Sequence, residues 1–147
     1  MKKVHVIIDA SGSMREEGKT AALGYLLHTI LHILKGSPFQ NMECVFFQWS
    51  HEVRKLETIR NLKIEGRICG HALEEYFQDR PADAMILISD GGGLDRNIIG
   101  ELKALYTKRF VISIGADSYD VNLKKIAGRV FQACDIQQVM ERCLAVV

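Results

Sequence analysis

Five residues near the N-terminus, Asp9-Ala10-Ser11-Gly12-Ser13, put a carboxylate and two hydroxyls at alternating positions. Gly12 lets the backbone between the hydroxyls curl, so the three side chains can converge on one point. Hard oxygen donors of this kind suit magnesium, manganese or calcium rather than zinc or copper. A second carboxylate, Asp90, stands before Gly91-Gly92-Gly93, a run that permits a sharp turn. Two carboxylates brought together without a cation repel each other, so a positive charge belongs between them.

Other spacings point to other chemistry and fail on detail. Gly18-Lys19-Thr20 has the end of a phosphate-binding loop, and Ser89-Asp90 after Met85-Ile86-Leu87-Ile88 has the form of its companion acidic strand. The glycine needed five residues before Gly18 is Ser13, and Glu16 and Glu17 would face the phosphates. Lys19 is then expected to be an ordinary first-turn helix residue. A phosphatase with an aspartyl nucleophile needs an acid two residues after Asp9, where Ser11 stands, and no histidine base neighbours Ser11 or Ser13 in sequence. His28 and His32 have the i, i+4 spacing of a metal pair, but Thr29 occupies the place of a metalloprotease's glutamate. They are expected on a solvated helix face. Cys44, Cys69, Cys134 and Cys143 form no CxxC pair and are expected to be reduced, mostly buried thiols. A catalyst is not expected.

Asp9 and Asp90 must be held by a scaffold. At 147 residues, 48% hydrophobic and 25% charged, the chain fits one globular domain, 1–147. A net charge of +1 gives no strong field to draw it to nucleic acid or an anionic membrane. No apolar run approaches the roughly 18 residues that span a bilayer. The run after Lys2-Lys3 stops at Asp9, too short for a secretory signal, so a cytoplasmic location is expected. Strand-like and helix-like segments alternate, the mark of an α/β domain with a mostly parallel sheet. Val4–Asp9, Glu43–Ser50, Ala84–Ser89, Phe110–Gly115 and Val130–Ala133 are expected strands, with Arg54–Glu57 as a short edge strand. Glu17–Lys35 carries Leu23, Leu26, Leu27, Ile30, Leu31 and Leu34 on one stripe. Further helices are expected over Ile68–Gln78, Asn97–Tyr106 and Tyr119–Ala127. A last one starts at Asp135, with Gln138 completing a capping box and Val147 ending its apolar face. In an open parallel sheet, function collects where strands end. That singles out Asp9–Gly18, Trp49–His51, Glu65–Gly70 and Asp90–Asp95.

Asp9-x-Ser11-x-Ser13 followed by Met14, after an apolar strand, resembles the opening of a von Willebrand factor A (vWA) domain. Ser89-Asp90-Gly91, closing a later apolar strand, resembles that family's second acidic motif, and the element order is similar over essentially the whole chain. The resemblance implies a three-layer α/β sandwich with a mostly parallel central sheet and helices on both faces. It implies a metal-ion-dependent adhesion site (MIDAS), with Asp9, Ser11, Ser13 and Asp90 holding Mg2+, Mn2+ or Ca2+ directly or through water, and a partner's carboxylate filling an open coordination position. The family supplies a threonine before a middle helix. Registering Gly70 and Ala72-Leu73 on that pattern puts Arg67 in its place. Arg67 accepts no hydrogen bond and carries a permanent charge. It either swings into solvent or lies over Asp9 and Asp90 in place of the ion. The rim expected to meet a partner is Arg67, Trp49, His51, Gly92 and Asp95; for Trp49, core packing is the competing reading. Stand-alone chains of this size resemble bacterial adaptors of separately encoded ATPases, kinases or phosphatases. The resemblance implies a protein-interaction module.

Overall fold

The computed structural model describes residues 1–16, 18–115 and 118–146. Six strands form one sheet: β1 (Lys2–Asp9), β2 (Met42–Trp49), β3 (Val53–Lys55), β4 (Ala84–Ser89), β5 (Arg109–Ser113) and β6 (Val130–Gln132). Their order is β3-β2-β1-β4-β5-β6. Every neighbouring pair is parallel except the β2–β3 pair at one edge. The helices are α1 (Lys19–Leu34), α2 (Gly70–Phe77), α3 (Arg96–Leu105), α4 (Asp120–Ala127) and α5 (Ile136–Leu144).

A strand sends successive side chains to opposite faces, and the central strands are apolar at every step, so both faces must be covered. Val4, Val6 and Ile8 of β1 and Ala84, Ile86 and Ile88 of β4 join one core with Leu23, Leu26, Leu27 and Ile30 of α1 and Val139, Met140 and Cys143 of α5. Ile7, Met85 and Leu87 point the other way, onto Leu73 and Phe77 of α2, Leu102 of α3 and Leu123 of α4. The result is the expected sandwich of helices on both faces of a mostly parallel sheet.

From β1 the chain steps outward through α1 to β2 and β3, then returns past β1 to β4 and proceeds to β5 and β6. The direction of winding therefore reverses between β1 and β4. Crossovers leave these two strands toward opposite faces, which opens a crevice at their carboxyl ends. Ile8 pairs with Ile88, so Asp9 and Ser89 come next in register at the lip of that crevice, with Asp90 one residue further.

Some boundaries differ from expectation. Helix α2 begins at Gly70 because Cys69 is extended and its N–H is committed to the Ser50 carbonyl, 2.9 Å away. The edge strand covers Val53–Lys55. The capping box lies earlier than Asp135–Gln138: Asp135 reaches back to the Gln132 N–H at 2.9 Å and Gln132 caps in return. Glu17 and Val147, expected in the first and last helices, lie outside the described residues.

Candidate functional site

Asp9 is fully buried. Its Oδ1 accepts from the Ser11 N–H at 2.9 Å and its Oδ2 from the Ser89 hydroxyl at 2.6 Å. Ser89 Oγ in turn accepts from the Gly91 N–H at 2.9 Å. Asp9 thus ties the loop leaving β1 to the loop leaving β4. Burial pushes its carboxyl above the usual range; hydrogen bonds from Ser11 and Ser89 oppose that, and the Asp90 charge adds to it. Ser11 and Ser13, set by the short 3-10 turn over Gly12–Arg15, bring their hydroxyls within 3.2 Å of each other. Asp90 is 1% exposed, and its Oδ1 accepts from the Gly92 N–H at 2.9 Å.

The positive charge beside these carboxylates comes from Lys19. Its side chain is 4% exposed, and Nζ lies 3.0 Å from Asp90 Oδ2. Nζ also reaches Glu16 Oε2 at 3.2 Å and the Ser13 carbonyl at 3.4 Å. This corrects the expectation of an ordinary first-turn residue. The reason is positional: Lys19 shares the buried stripe of α1 with Leu23, Leu26, Leu27 and Ile30, so the helix aims it inward. Arg67, the other expected source of positive charge, is exposed and lines the same cleft.

The segment bearing Arg67 is stitched to the first loop. The Glu65 N–H donates to the Ala10 carbonyl at 2.8 Å, and the Gly12 N–H donates to the Gly66 carbonyl at 2.9 Å. Arg67 thereby reaches the mouth of a cleft of about 620 Å³ that Ser11, Ser13, Lys19, Asp90, Gly92 and Tyr119 also line. Tyr119 forms the far wall: it is 61% exposed, and its N–H donates to the Asp90 carbonyl at 2.7 Å. Its carbonyl oxygen lies 2.5 Å from where a Cβ on Gly91 would sit, and Gly91 has φ +80°. Only glycine fits that turn.

The fold gathers Ser11, Ser13, Asp90, Arg67 and Gly92 at the cleft, with Asp9 beneath. His51 is exposed beside it, its Nδ1 3.7 Å from the Cβ position of Gly66. Asp95 is exposed but caps α3, accepting from the Ile98 N–H at 2.9 Å. Trp49 corrects the expected rim: it is wholly buried, and its Nε1–H donates to the Cys69 carbonyl at 2.9 Å, so no partner reaches it. The residues that type and spacing missed are Lys19, Glu16 and Tyr119. The signal for Lys19 was its place four residues before Leu23 on the apolar stripe; Tyr119 carried no local signal.

Two hydroxyls and a carboxylate make a hard-oxygen donor set that fits a divalent cation. Both Asp9 carboxylate oxygens already accept hydrogen bonds, from the Ser11 N–H and the Ser89 hydroxyl. Among the described residues, no group of three or more His, Cys, Asp or Glu side chains stands together as a softer or richer metal site.

No protein-family model matches this sequence, and no curated protein matches it. Solved structures do. A von Willebrand factor type A protein from Catenulispora acidiphila is similar with a TM-score of 0.70 at 17% identity, over 97% of this chain and 42% of that one. BatB from Bacteroides thetaiotaomicron is similar with a TM-score of 0.66 at 11% identity, over 99% of this chain and 98% of that one. Proximal thread matrix protein 1 from the mussel byssus, with a zinc-occupied MIDAS motif, has a TM-score of 0.60 at 16% identity, over 97% of this chain and 44% of that one. The chain therefore spans less than half of two of these neighbours.

Proposed function

We propose that this chain, whose fold is that of a vWA domain, is a non-catalytic protein-interaction module that captures an acidic side chain of a partner at the carboxyl-end cleft. The observation that carries the reading is the convergence of Ser11, Ser13 and Asp90 on one cleft at the reversal of the sheet, braced from below by Asp9. Ser11, Ser13 and Asp90 would hold Mg2+ or Mn2+, and Asp9 would orient them. The bound ion supplies an electrophilic position for the partner's carboxylate. Exposed Arg67 and Tyr119 frame that position, and His51 stands beside it. The zinc-occupied MIDAS of the mussel neighbour supports a divalent ion at this place in the fold. A cytoplasmic adaptor working with a separately encoded ATPase, kinase or phosphatase suits the four free cysteines and the described helices, none of which is long and apolar enough to cross a membrane.

Calorimetric titration of chelator-stripped protein with Mg2+ and Mn2+, followed by a short Asp- and Glu-containing peptide, tests this. Saturable ion binding is expected, weakened about ten-fold or more in Ser13→Ala by loss of one oxygen donor, and the peptide should bind only with the ion present. Peptide binding that survives chelator would overturn the cation's role and leave capture to the positive charges of Lys19 and Arg67.

A further inference from the structure

A lysine side chain 4% exposed is unusual, because burying an ammonium is costly unless it is paired and hydrogen-bonded. Lys19 meets that condition by leaning on the candidate ion site. Asp90 has one oxygen satisfied by the Gly92 N–H, and the other faces Lys19 Nζ at 3.0 Å. Both Asp90 oxygens are therefore engaged, one by the backbone and one by the ammonium, and a cation held by Asp90 would share the carboxylate with Lys19. The ammonium also reaches the carbonyl of Ser13, at 3.4 Å, so it lies against the loop that provides the hydroxyl donors. A divalent ion and an ammonium on the same carboxylate repel each other strongly in a site shielded from water.

We infer that Lys19 is a built-in counter-ion that contests Asp90 with the divalent cation, so the ion binds fully only as the ammonium withdraws. This rests on the cation-site reading above. Withdrawal has a route. The lysine stem is flexible, Glu16 already contacts the ammonium at 3.2 Å, and the Glu16 side chain is 55% exposed at the cleft edge. Lys19 in place keeps Asp90 compensated when no ion is bound, which removes the repulsion that two bare carboxylates would suffer. It also weakens the site, so that ion binding becomes sensitive to the surrounding free-ion concentration.

The test is a Mn2+ titration of chelator-stripped wild type beside Lys19→Met, which keeps the stem and removes the charge. Removing one unit charge within a few Å of the ion should tighten Mn2+ binding about ten-fold or more. Equal or weaker binding in Lys19→Met overturns the inference and leaves the cation site standing. Binding by neither protein overturns the cation site and the inference with it. A second measurement needs no variant: acetylation of wild-type lysines read by mass spectrometry, in chelator and in Mn2+, with exposed Lys124 as internal reference. Mn2+ should raise Lys19 labelling several-fold relative to Lys124. Unchanged or lower labelling overturns the inference even where Lys19→Met fails to fold.

Discussion

Trp49 ends β2 two residues before exposed His51, yet none of its surface reaches solvent. The indole fills the second core with Ile7, Leu73 and Leu87, and its N–H holds the Cys69 carbonyl just before α2. It therefore positions the segment from Gly66 to Gly70 from behind. Trp49→Phe leaves that carbonyl without its donor and a gap where the larger ring stood. The two effects together should cost about 2–3 kcal/mol of stability. Urea unfolding reads this as a lower midpoint at unchanged slope. A midpoint equal to wild type would mean that Trp49 is not the packing residue its burial implies. Lys19 teaches the complementary lesson at the same scale. Residue type pointed it to water, while its position on the stripe with Leu23 and Ile30 pointed it inward, and position prevailed because Asp90 was there to receive the charge.

At the scale of elements, α2 and α3 approach through a glycine. A Cβ on Gly70 would lie 2.8 Å from Ile98 Cγ1 and 2.9 Å from Glu101 Oε2. The glutamate is flexible and can turn away, but Ile98 is anchored in the core. Alanine is a better helix former than glycine by up to about 1 kcal/mol inside a helix, though less at its first position. Steric crowding should win, and Gly70→Ala should lower stability by about 1–2 kcal/mol, seen as a lower thermal midpoint. A higher midpoint would show that α3 shifts freely. The legibility of the elements follows the same balance. Val4–Asp9 and Ala84–Ser89 stood out because strands buried on both faces are unbroken apolar runs. The leucines of α1 stood out because one stripe faces the core. Cys69 did not announce that it is extended, since its bond to Ser50 is made to a segment nineteen residues earlier in the chain. The site divided likewise: Asp9, Ser11, Ser13 and Asp90 follow strand ends and could be read in order. Tyr119 reaches the cleft only because α4 packs against the Gly91 turn, a contact no local pattern encodes.

The stability of the whole molecule is tied to pH through a buried polar group that links β1 to β2, α2 and the end of α3. His5 of β1 is 3% exposed, with its ring centroid 4.9 Å from that of Phe47 and 5.2 Å from that of Phe77. Its Nδ1 lies 2.7 Å from the Tyr106 hydroxyl. Burial pushes the Tyr106 hydroxyl well above its usual range, so it keeps its proton and donates to or accepts from Nδ1 according to the imidazole tautomer. Burial, helped by the nearby Lys3 charge, lowers the His5 pKa from 6.5 to about 4. The sign follows from proton counts. Between these two values the unfolded chain binds a proton at this position and the folded chain does not, so acid favours unfolding. Stability from this group is complete above the unfolded value of 6.5 and is lost as pH falls toward about 4. The loss should reach about 2 kcal/mol near pH 5. Asp9 acts in the opposite direction, because its raised pKa makes the folded state the better proton acceptor. The two are separated by comparing urea unfolding free energies of wild type and His5→Gln from pH 7.5 to 4.5. The His5→Gln protein is less stable at neutral pH but retains the Asp9 contribution, so the gap between the curves should close by about 2 kcal/mol as pH falls. Parallel curves would mean that His5 takes up its proton in the folded state as readily as in the unfolded one, and that the aromatic cluster around it opens to water.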